Sequence, residues 1–311
     1  MPSFSQHFYL SGYGCQATDQ NGALFFVRSH SIFNGRVTLL GDTWINILEN
    51  GSLNIKNSKI EFNKPIDGEG ELKVTITKKG DYDYFGSAIV LNATNTFVGK
   101  LVVEPGVDVV MNTNGTFAVG DVVLNDAGLK FAENGLFSVT NNIIGSGKLN
   151  LGKFATLNLD GETEFASASG EYGSTLTLGG NMYAGNVDFG PGSTISAAKN
   201  DLALYVDGGV INNALTESSQ AKLNIVKSKE GELELGGDCG GISSLKIEKG
   251  TVKLSKSVFE DAAAIEYWLD AADSSTITLD ENGGVEKWVS KAGRALSFSV
   301  VSNRKAPKYK T

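Results

Sequence analysis

The sequence predicts an all-β protein in which short strands stack as a parallel β-helix, a form of β-solenoid. Three observations support this fold class: short runs of alternating apolar and polar residues, closely spaced turn dipeptides, and an excess of glycine over proline. The 311-residue chain contains 38 glycines and 5 prolines. Tight corners need the positive φ angles that glycine adopts easily, so this balance favours a chain that turns often.

Short alternating runs recur from residue 37 to residue 254. A period of two places the flanking apolar residues on one face of a strand and the middle residue on the other. Such runs lie at residues 37–39, 53–55, 72–76, 101–103, 149–151, 157–159, 176–178, 233–235, 245–247 and 252–254. In a solenoid, each run would bury its apolar face against the next coil, with roughly 20–25 residues per coil.

Turn dipeptides are equally frequent. Asn-Gly occurs six times, for example at Asn34-Gly35 and Asn134-Gly135, and Asp-Gly occurs three times, at Asp67-Gly68, Asp160-Gly161 and Asp207-Gly208. Each pair can reverse or corner the chain, because Asn and Asp tolerate the left-handed region and Gly favours it. Hairpins use the same dipeptides, so a β-sandwich is the alternative. The very short strands, restarting over about 240 residues, favour coils over a single sandwich.

Two stretches carry a resemblance to a known family. Residues 33–42 read Phe-Asn-Gly-Arg-Val-Thr-Leu-Leu-Gly-Asp, and residues 245–254 read Leu-Lys-Ile-Glu-Lys-Gly-Thr-Val-Lys-Leu. They resemble the passenger repeats of bacterial autotransporters, including the autotransporter-associated β-strand repeat. The family's Gly-x-Gly-Thr step is replaced by Lys-Glu-Gly-Glu at residues 229–232. The resemblance implies a right-handed parallel β-helix over residues 1–256 and an extracellular or bacterial cell-surface location, and it implies no activity.

The character of the sequence changes after residue 256. Residues 257–263 read as a linker. Residues 264–311 contain Tyr267-Trp268-Leu269, then Trp288, then Ala306-Pro307-Lys308-Tyr309. This order resembles the opening strands of a laminin-G/concanavalin-like domain. The resemblance implies a truncated start of a β-sandwich, which is too short to bury its own inner face.

Charge and hydropathy restrict the partners. The formal charge is −8, and an acidic chain repels phosphate backbones, so we expect no nucleic-acid partner. No segment approaches the about 20 apolar residues of a membrane span. The beginning of the chain lacks the basic and apolar segments of a signal peptide, so we expect further sequence upstream of Met1. We expect a monomer.

One segment is a candidate binding site. Asp81, Tyr82, Asp83 and Tyr84 offer two carboxylates and two aromatic rings between strand-like segments, which suits glycan stacking or contact with a partner. The alternative is that these four residues form a solvent-exposed insertion whose tyrosines cover the side of the solenoid. The only histidines, His7 and His30, have no nucleophile motif beside them, and the two cysteines lack metal-finger spacing. No catalytic residue, metal ligand or cofactor is therefore predicted.

These features together predict a non-catalytic surface stalk or adhesin segment of a larger bacterial protein, which presents a carbohydrate- or partner-binding domain. The first alternative is a polysaccharide-degrading lyase or hydrolase whose groove follows the β-helix. Its acidic residues are scattered, and no cluster centred on an arginine accompanies them. A trimeric phage-type spike is a third possibility, and it requires an obligate trimer.

Overall fold

The structure is a computed structural model that describes residues 2–14, 22–26, 30–50, 57–79, 86–117, 120–212, 214–215, 221–236, 241–254, 274–279 and 285–288. The chain divides into two compact units, Met1–Ser255 and Lys256–Thr311. The described residues form thirty strands and one short 3₁₀ turn, Ser274–Thr276, without an α-helix. The all-β prediction is therefore confirmed.

The strands of the first unit begin at residue 3 and follow one another at short intervals. Those in its first half are β1 Ser3–Phe4, β2 Phe8–Gly12, β3 Leu24–Phe26, β4 His30–Phe33, β5 Val37–Asn50, β6 Lys59–Phe62, β7 Ile66–Glu69, β8 Leu72–Lys79, β9 Ser87–Leu91, β10 Leu101–Val103, β11 Val107–Met111, β12 Gly115–Phe117, β13 Val122–Leu124 and β14 Gly128–Phe131.

The second half of this unit continues the pattern. Its strands are β15 Leu136–Val139, β16 Ile143–Gly145, β17 Lys148–Leu151, β18 Thr156–Leu159, β19 Thr163–Gly170, β20 Thr175–Leu178, β21 Met182–Phe189, β22 Thr194–Ala197, β23 Ala203–Asn212, β24 Ala214–Leu215, β25 Leu223–Lys227, β26 Glu232–Gly236, β27 Ile242–Ile247 and β28 Thr251–Leu254. Every predicted alternating run lies within one of these strands, except residues 53–55, which lie outside the described residues.

Strand pairing among the described residues of Met1–Ser255 is parallel throughout, and each strand pairs with its counterpart one coil away. One column of paired positions therefore runs through eleven levels: Gly12, Thr43, Leu72, Leu101, Val122, Ile143, Thr163, Met182, Leu204, Ile225 and Leu245. Ten steps at ~4.8 Å each give a stack about 48 Å long. The predicted parallel β-solenoid is confirmed.

Coil length changes along the stack. In the N-terminal part, Ser3 pairs with Ile32, and the laddered side chains of Asn34 and Asn63 show the same sequence spacing of 29. Farther along, Lys148 pairs with Ser167, and the spacing falls to 19. The first coils are thus longer than the sequence predicted. They carry longer strands, such as β5, which pairs with both β7 and β8.

A second column of paired residues carries large apolar side chains, which are buried in the core from Phe33 to Leu235 except at Gly170. It consists of Phe4, Phe33, Phe62, Leu91, Met111, Phe131, Leu151, Gly170, Phe189, Ile211, Leu235 and Leu254. The rings of Phe33 and Phe62 stack with centroids 5.0 Å apart. Gly170 contributes no side chain to this column, and an added Cβ would lie 2.7 Å from the Phe189 ring. The ring of the next coil therefore occupies this space.

An asparagine ladder follows this column on the surface. Asn34, Asn63, Asn92 and Asn112 each come directly after a column residue. The amide Nδ2 of Asn63 donates to Oδ1 of Asn34 at 2.8 Å, Asn92 donates to Asn63 at 2.6 Å, and Asn112 donates to Asn92 at 3.0 Å. Each inner amide donates to one coil and accepts from the next, so the ladder links four coils.

Two of the Asp-Gly pairs lie at corners of the chain and do not reverse it. Asp67-Gly68 lies inside β7 and Asp207-Gly208 lies inside β23. Gly68 has a φ of 99° and Gly209, the residue after Gly208, a φ of 114°. The strand bends at these positions and its pairing with the next coil continues. The glycines thus allow a corner within a strand, which is one of the two outcomes that the sequence predicted for Asp-Gly.

The described part of the second unit is an antiparallel hairpin. Its strands are β29 Ile277–Leu279 and β30 Val285–Trp288, and Ile277 pairs with Trp288. The predicted linker at residues 257–263 lies outside the described residues, as does most of the segment 264–311. Two paired strands do not establish the predicted β-sandwich, which stays a prediction.

The asparagine ladder yields a test of stability. Asn63→Ala removes two amide hydrogen bonds, so we expect the free energy of unfolding to fall by about 1–2 kcal/mol. Urea unfolding followed by circular dichroism measures this change. Asn158→Ala is the matched control, because Asn158 is also half-buried and its side chain forms no hydrogen bond within the described residues. Equal losses in the two variants would show that the ladder adds no stability.

Candidate functional site

The candidate residues Asp81, Tyr82, Asp83 and Tyr84 lie outside the described residues, so their role as a binding segment stays a prediction. On either side of them in the sequence, Lys78 and Gly86 border a surface depression of about 480 Å³. Its lining also includes Asp108 and Lys130, which form an ion pair at 2.5 Å.

A second surface depression is larger than this one. It lies where three successive coils have fewer residues at one corner than the coils before and after them. In β19, β21 and β23 the paired positions on either side of the corner are 163 and 168, 182 and 187, and 204 and 209. The corresponding positions are 143 and 149 in the coil before them, and 225 and 233 in the coil after them. Because the coils stack in register, the three short corners lie recessed between longer ones.

We call this surface the corner recess. Its volume is about 730 Å³, within the roughly 300–1,000 Å³ range of small-molecule pockets. The three short corners contribute Glu164, Ala166, Tyr183, Gly185, Tyr205 and Asp207 to its lining.

Two tyrosines form one side of the corner recess. Tyr183 and Tyr205 are paired positions of β21 and β23, so their rings lie one coil apart. The ring centroids are 4.3 Å apart and the planes differ by only 4°, which is a parallel stack. Tyr183 remains 45% exposed to solvent. Each coil of the pair therefore presents an aromatic side chain with a polar hydroxyl at the recess.

Small residues keep the corner recess open beside this stack. Ala166 and Gly185 line it two positions after Glu164 and Tyr183 on the same strands. A Cβ at Gly185 would lie 2.6 Å from the carbonyl oxygen of Ala166. Contacts this close are not tolerated, so the stacking of the two strands requires glycine here.

A buried lysine stabilises the end of the corner recess that is formed by the longer corner at residues 225–233. Lys227 has 0% exposure, and its ammonium donates to the carbonyl oxygens of Lys229 and, at 3.3 Å, of Lys249. These bonds connect two successive turns, which contribute Ser228, Lys229 and Glu248 to the recess. Charge-assisted bonds of this kind are stronger than neutral ones, so this end of the recess is well fixed.

The corner recess carries an excess of negative charge. Among its described lining residues, Glu164, Asp207 and Glu248 are acidic and Lys229 is basic. Lys246, outside this lining, pairs with Glu248 at 2.6 Å. The ammonium of Lys229 lies 2.7 Å from Asp207, and this hydrogen bond is the main cause that raises the pKa of Lys229. Partial burial raises the pKa of the Tyr183 hydroxyl, with smaller contributions from Tyr205 and nearby glutamates. Both groups keep their protons at neutral pH.

A second pair of exposed aromatic side chains lies at a different turn. Phe154 and Tyr172 are 53% and 60% exposed, and their rings meet edge to face at 5.6 Å. Phe154 has a φ of 56°, which is unusual for a bulky residue. A Cβ at Gly173 would lie 2.4 Å from the Phe154 ring, so glycine makes room for the ring. Within the described residues, no acidic or basic side chain forms a hydrogen bond, an ion pair or a cation–π contact with this pair.

The two histidines have separate surroundings. His7 Nε2 lies 2.9 Å from the hydroxyl of Thr38, and His30 Nε2 lies 2.9 Å from Glu61. Glu61 also pairs with Lys59 at 2.9 Å. The hydrogen bond from Lys59 is the main cause that lowers the pKa of Glu61, and the bond from His30 lowers it further.

The Glu61 cluster predicts an acid-dependent part of the stability. A carboxyl whose folded pKa is lowered stabilises the fold above its ordinary pKa of 4.5, and this contribution disappears as the pH falls through the folded value. Glu61→Gln should therefore cost at most about 1 kcal/mol at pH 7 and progressively less toward pH 3. Urea unfolding at several pH values measures the difference.

Glu133→Gln is the control for this series, because Glu133 is exposed and forms no ion pair within the described residues. Its stability should follow that of the unaltered protein at each pH. A Glu61→Gln effect that grows as the pH falls would contradict the interpretation.

Among the residues that the structure describes, no group of three or more histidine, cysteine, aspartate or glutamate side chains is arranged so that it could hold a metal ion. Within the same part of the chain, no helix has the length and hydropathy needed to cross a membrane. Comparison with protein-family models, curated proteins and solved structures found no match.

Sequence reasoning missed the corner recess. One signal was present: Tyr205 follows Tyr183 in the sequence at the length of one coil at this point of the stack. Aromatic residues repeated at the coil spacing predict a surface stack. The shortened corner itself is visible only after strand pairing fixes which residues share a level.

Proposed function

We propose that this chain is a non-catalytic β-solenoid segment of a larger secreted or surface-exposed bacterial protein, in which it serves as a stalk or adhesin segment. In this role the solenoid holds a carbohydrate- or partner-binding domain away from its point of attachment.

The observation that carries this proposal is the continuous ladder among the described residues of Met1–Ser255. Ten successive inter-coil steps share one hydrophobic core, which continues from Leu10 to Leu235. Bending such a stack would separate backbone hydrogen bonds and buried apolar surfaces on one side. A stack of this kind suits a spacer that keeps its length under load. The resemblance to autotransporter passenger repeats agrees with this role.

Surface labelling tests the location. Antibodies raised against the purified chain should label intact cells that express the complete gene, and external protease should remove the label. A cytoplasmic protein of the same cells is the control, because it should be labelled only after permeabilisation. Labelling of the chain only in permeabilised cells would contradict the proposal.

The enzymatic alternative needs a separate assay. Incubation of the full chain with plant, mucosal and bacterial polysaccharides should release no reducing ends and no unsaturated sugars above a heat-denatured sample. Release of either product, abolished by substitution of a single acidic or basic residue, would establish a polysaccharide-degrading enzyme in place of a stalk.

A further inference from the structure

The corner recess has the composition of a sugar-binding surface. Tyr183 and Tyr205 offer aromatic carbon for the apolar faces of sugar rings, and their hydroxyls are polar. Beside them, Ala166 and Gly185 leave the space that a pyranose ring needs. Pockets for small ligands combine such apolar and aromatic lining with a few polar groups that fix orientation.

The acidic side chains supply hydrogen-bond acceptors around this space. Carboxylate oxygens accept bonds from sugar hydroxyls, and bonds to an ionised acceptor are stronger than those between neutral groups. Glu164 is paired with Tyr183 in the ladder, and Asp207 lies two residues after Tyr205 in β23. Acceptors therefore lie near both members of the tyrosine stack.

The charge balance selects among glycans. Three carboxylates and one ammonium line the described recess. Asp207 pairs with that ammonium, and Glu248 pairs with Lys246 beside the recess at 2.6 Å, so Glu164 carries the net negative charge. A polyanionic glycan, such as a uronic acid polymer or a sulfated chain, would meet like charge here. A neutral sugar meets no such repulsion, and the ammonium of an unacetylated amino sugar would be attracted.

The length of the recess limits the ligand. It lies between the longer corners at residues 143–149 and 225–233, which are four coil steps apart, or about 19 Å. Such a distance accommodates a short stretch of a glycan chain, in contrast to an open groove along the whole solenoid.

From these observations we propose that the corner recess is a binding site for a short stretch of neutral or amino-sugar glycan, held against Tyr183 and Tyr205 and hydrogen-bonded through Asp207 and Glu164. This inference goes beyond the stalk role, because it assigns ligand binding to the solenoid itself, in addition to any domain that the solenoid presents.

Calorimetric titration of the full chain tests the proposal. The probes are cello-, xylo-, manno- and chito-oligosaccharides, both acetylated and deacetylated, with oligogalacturonides and heparin fragments as acidic probes. At least one neutral or amino-sugar series should bind, with affinity that rises with length until the recess is filled, and the acidic probes should not bind. Binding by none of the neutral and amino-sugar series, or tighter binding by the acidic probes, would overturn the proposal.

Substitutions locate the site. Tyr183→Ala combined with Tyr205→Ala should weaken binding at least tenfold, whereas Tyr183→Phe, which keeps the ring, should change it by less than threefold. Tyr172→Ala is the matched control, because Tyr172 is an exposed tyrosine at a different turn of the same solenoid. Circular dichroism of each variant shows that the fold is retained. If the double variant binds as well as the Tyr172→Ala control, the recess is not the site.

The charged residues give a second, independent readout. Asp207→Asn should weaken binding at least threefold, because it removes an ionised acceptor from the recess. Lys229→Gln removes the partner of Asp207 and should strengthen binding, because the Asp207 oxygens then accept from the glycan alone. Equal weakening by both variants would mean that the Asp207–Lys229 pair only supports the local structure. A failure of all these tests leaves the surface-labelling result untouched, so the recess and the stalk role are judged separately.

Discussion

The parallel backbone hydrogen-bond ladder between successive coils is the constraint on which the rest of this structure depends. A backbone N–H or C=O that is buried without a partner costs free energy, so each coil must pair its strands with those of the coils on either side. Pairing in register then gives every position a counterpart one coil away. The columns from Gly12 to Leu245 and from Phe4 to Leu254 are direct consequences. The stability of the stack is therefore the sum of many interfaces, each between two adjacent coils.

Side chains follow the ladder because equivalent positions lie close together. This spacing allows Phe33 to stack on Phe62, the four ladder asparagines to join end to end, and Tyr183 to stack on Tyr205. Where one position is glycine, the side chain of the paired residue in the next coil fills the space, as the Phe189 ring does at Gly170. The ladder fixes the strands, so differences in coil length must be absorbed at the corners. A short corner between longer ones is a recess, and recognition can therefore be added to a stacked fold without breaking its core.

The two roles inferred for this chain use different parts of one coil. The inward columns give the continuous core that suits a stalk, and the outward positions of β19, β21 and β23 form the corner recess. Outward residues are free to vary because they do not fill the core. Lys227 connects the inward and outward residues. Its buried side chain donates to the carbonyl oxygen of Lys229 and so fixes the turn that carries Lys229. This turn lies two coils from Gly185. A substitution at Lys227 would thus alter both the stack and the shape of the recess.

The sequence by itself determined the all-β class and the alternating runs, because a period of two and frequent Gly, Asn and Asp turns are local properties of the chain. Its many short, restarting strands favoured parallel stacking over a sandwich. It identified runs such as residues 72–76 and 176–178 correctly. It left open whether Asp207-Gly208 reverses or corners the chain, since a bend inside a paired strand and a true turn use the same dipeptide. Only the tertiary structure decided the longer first coils, the asparagine ladder and the corner recess. Each of these depends on which residues, 19 to 31 positions apart, share a level, and that register is set by pairing across the whole stack.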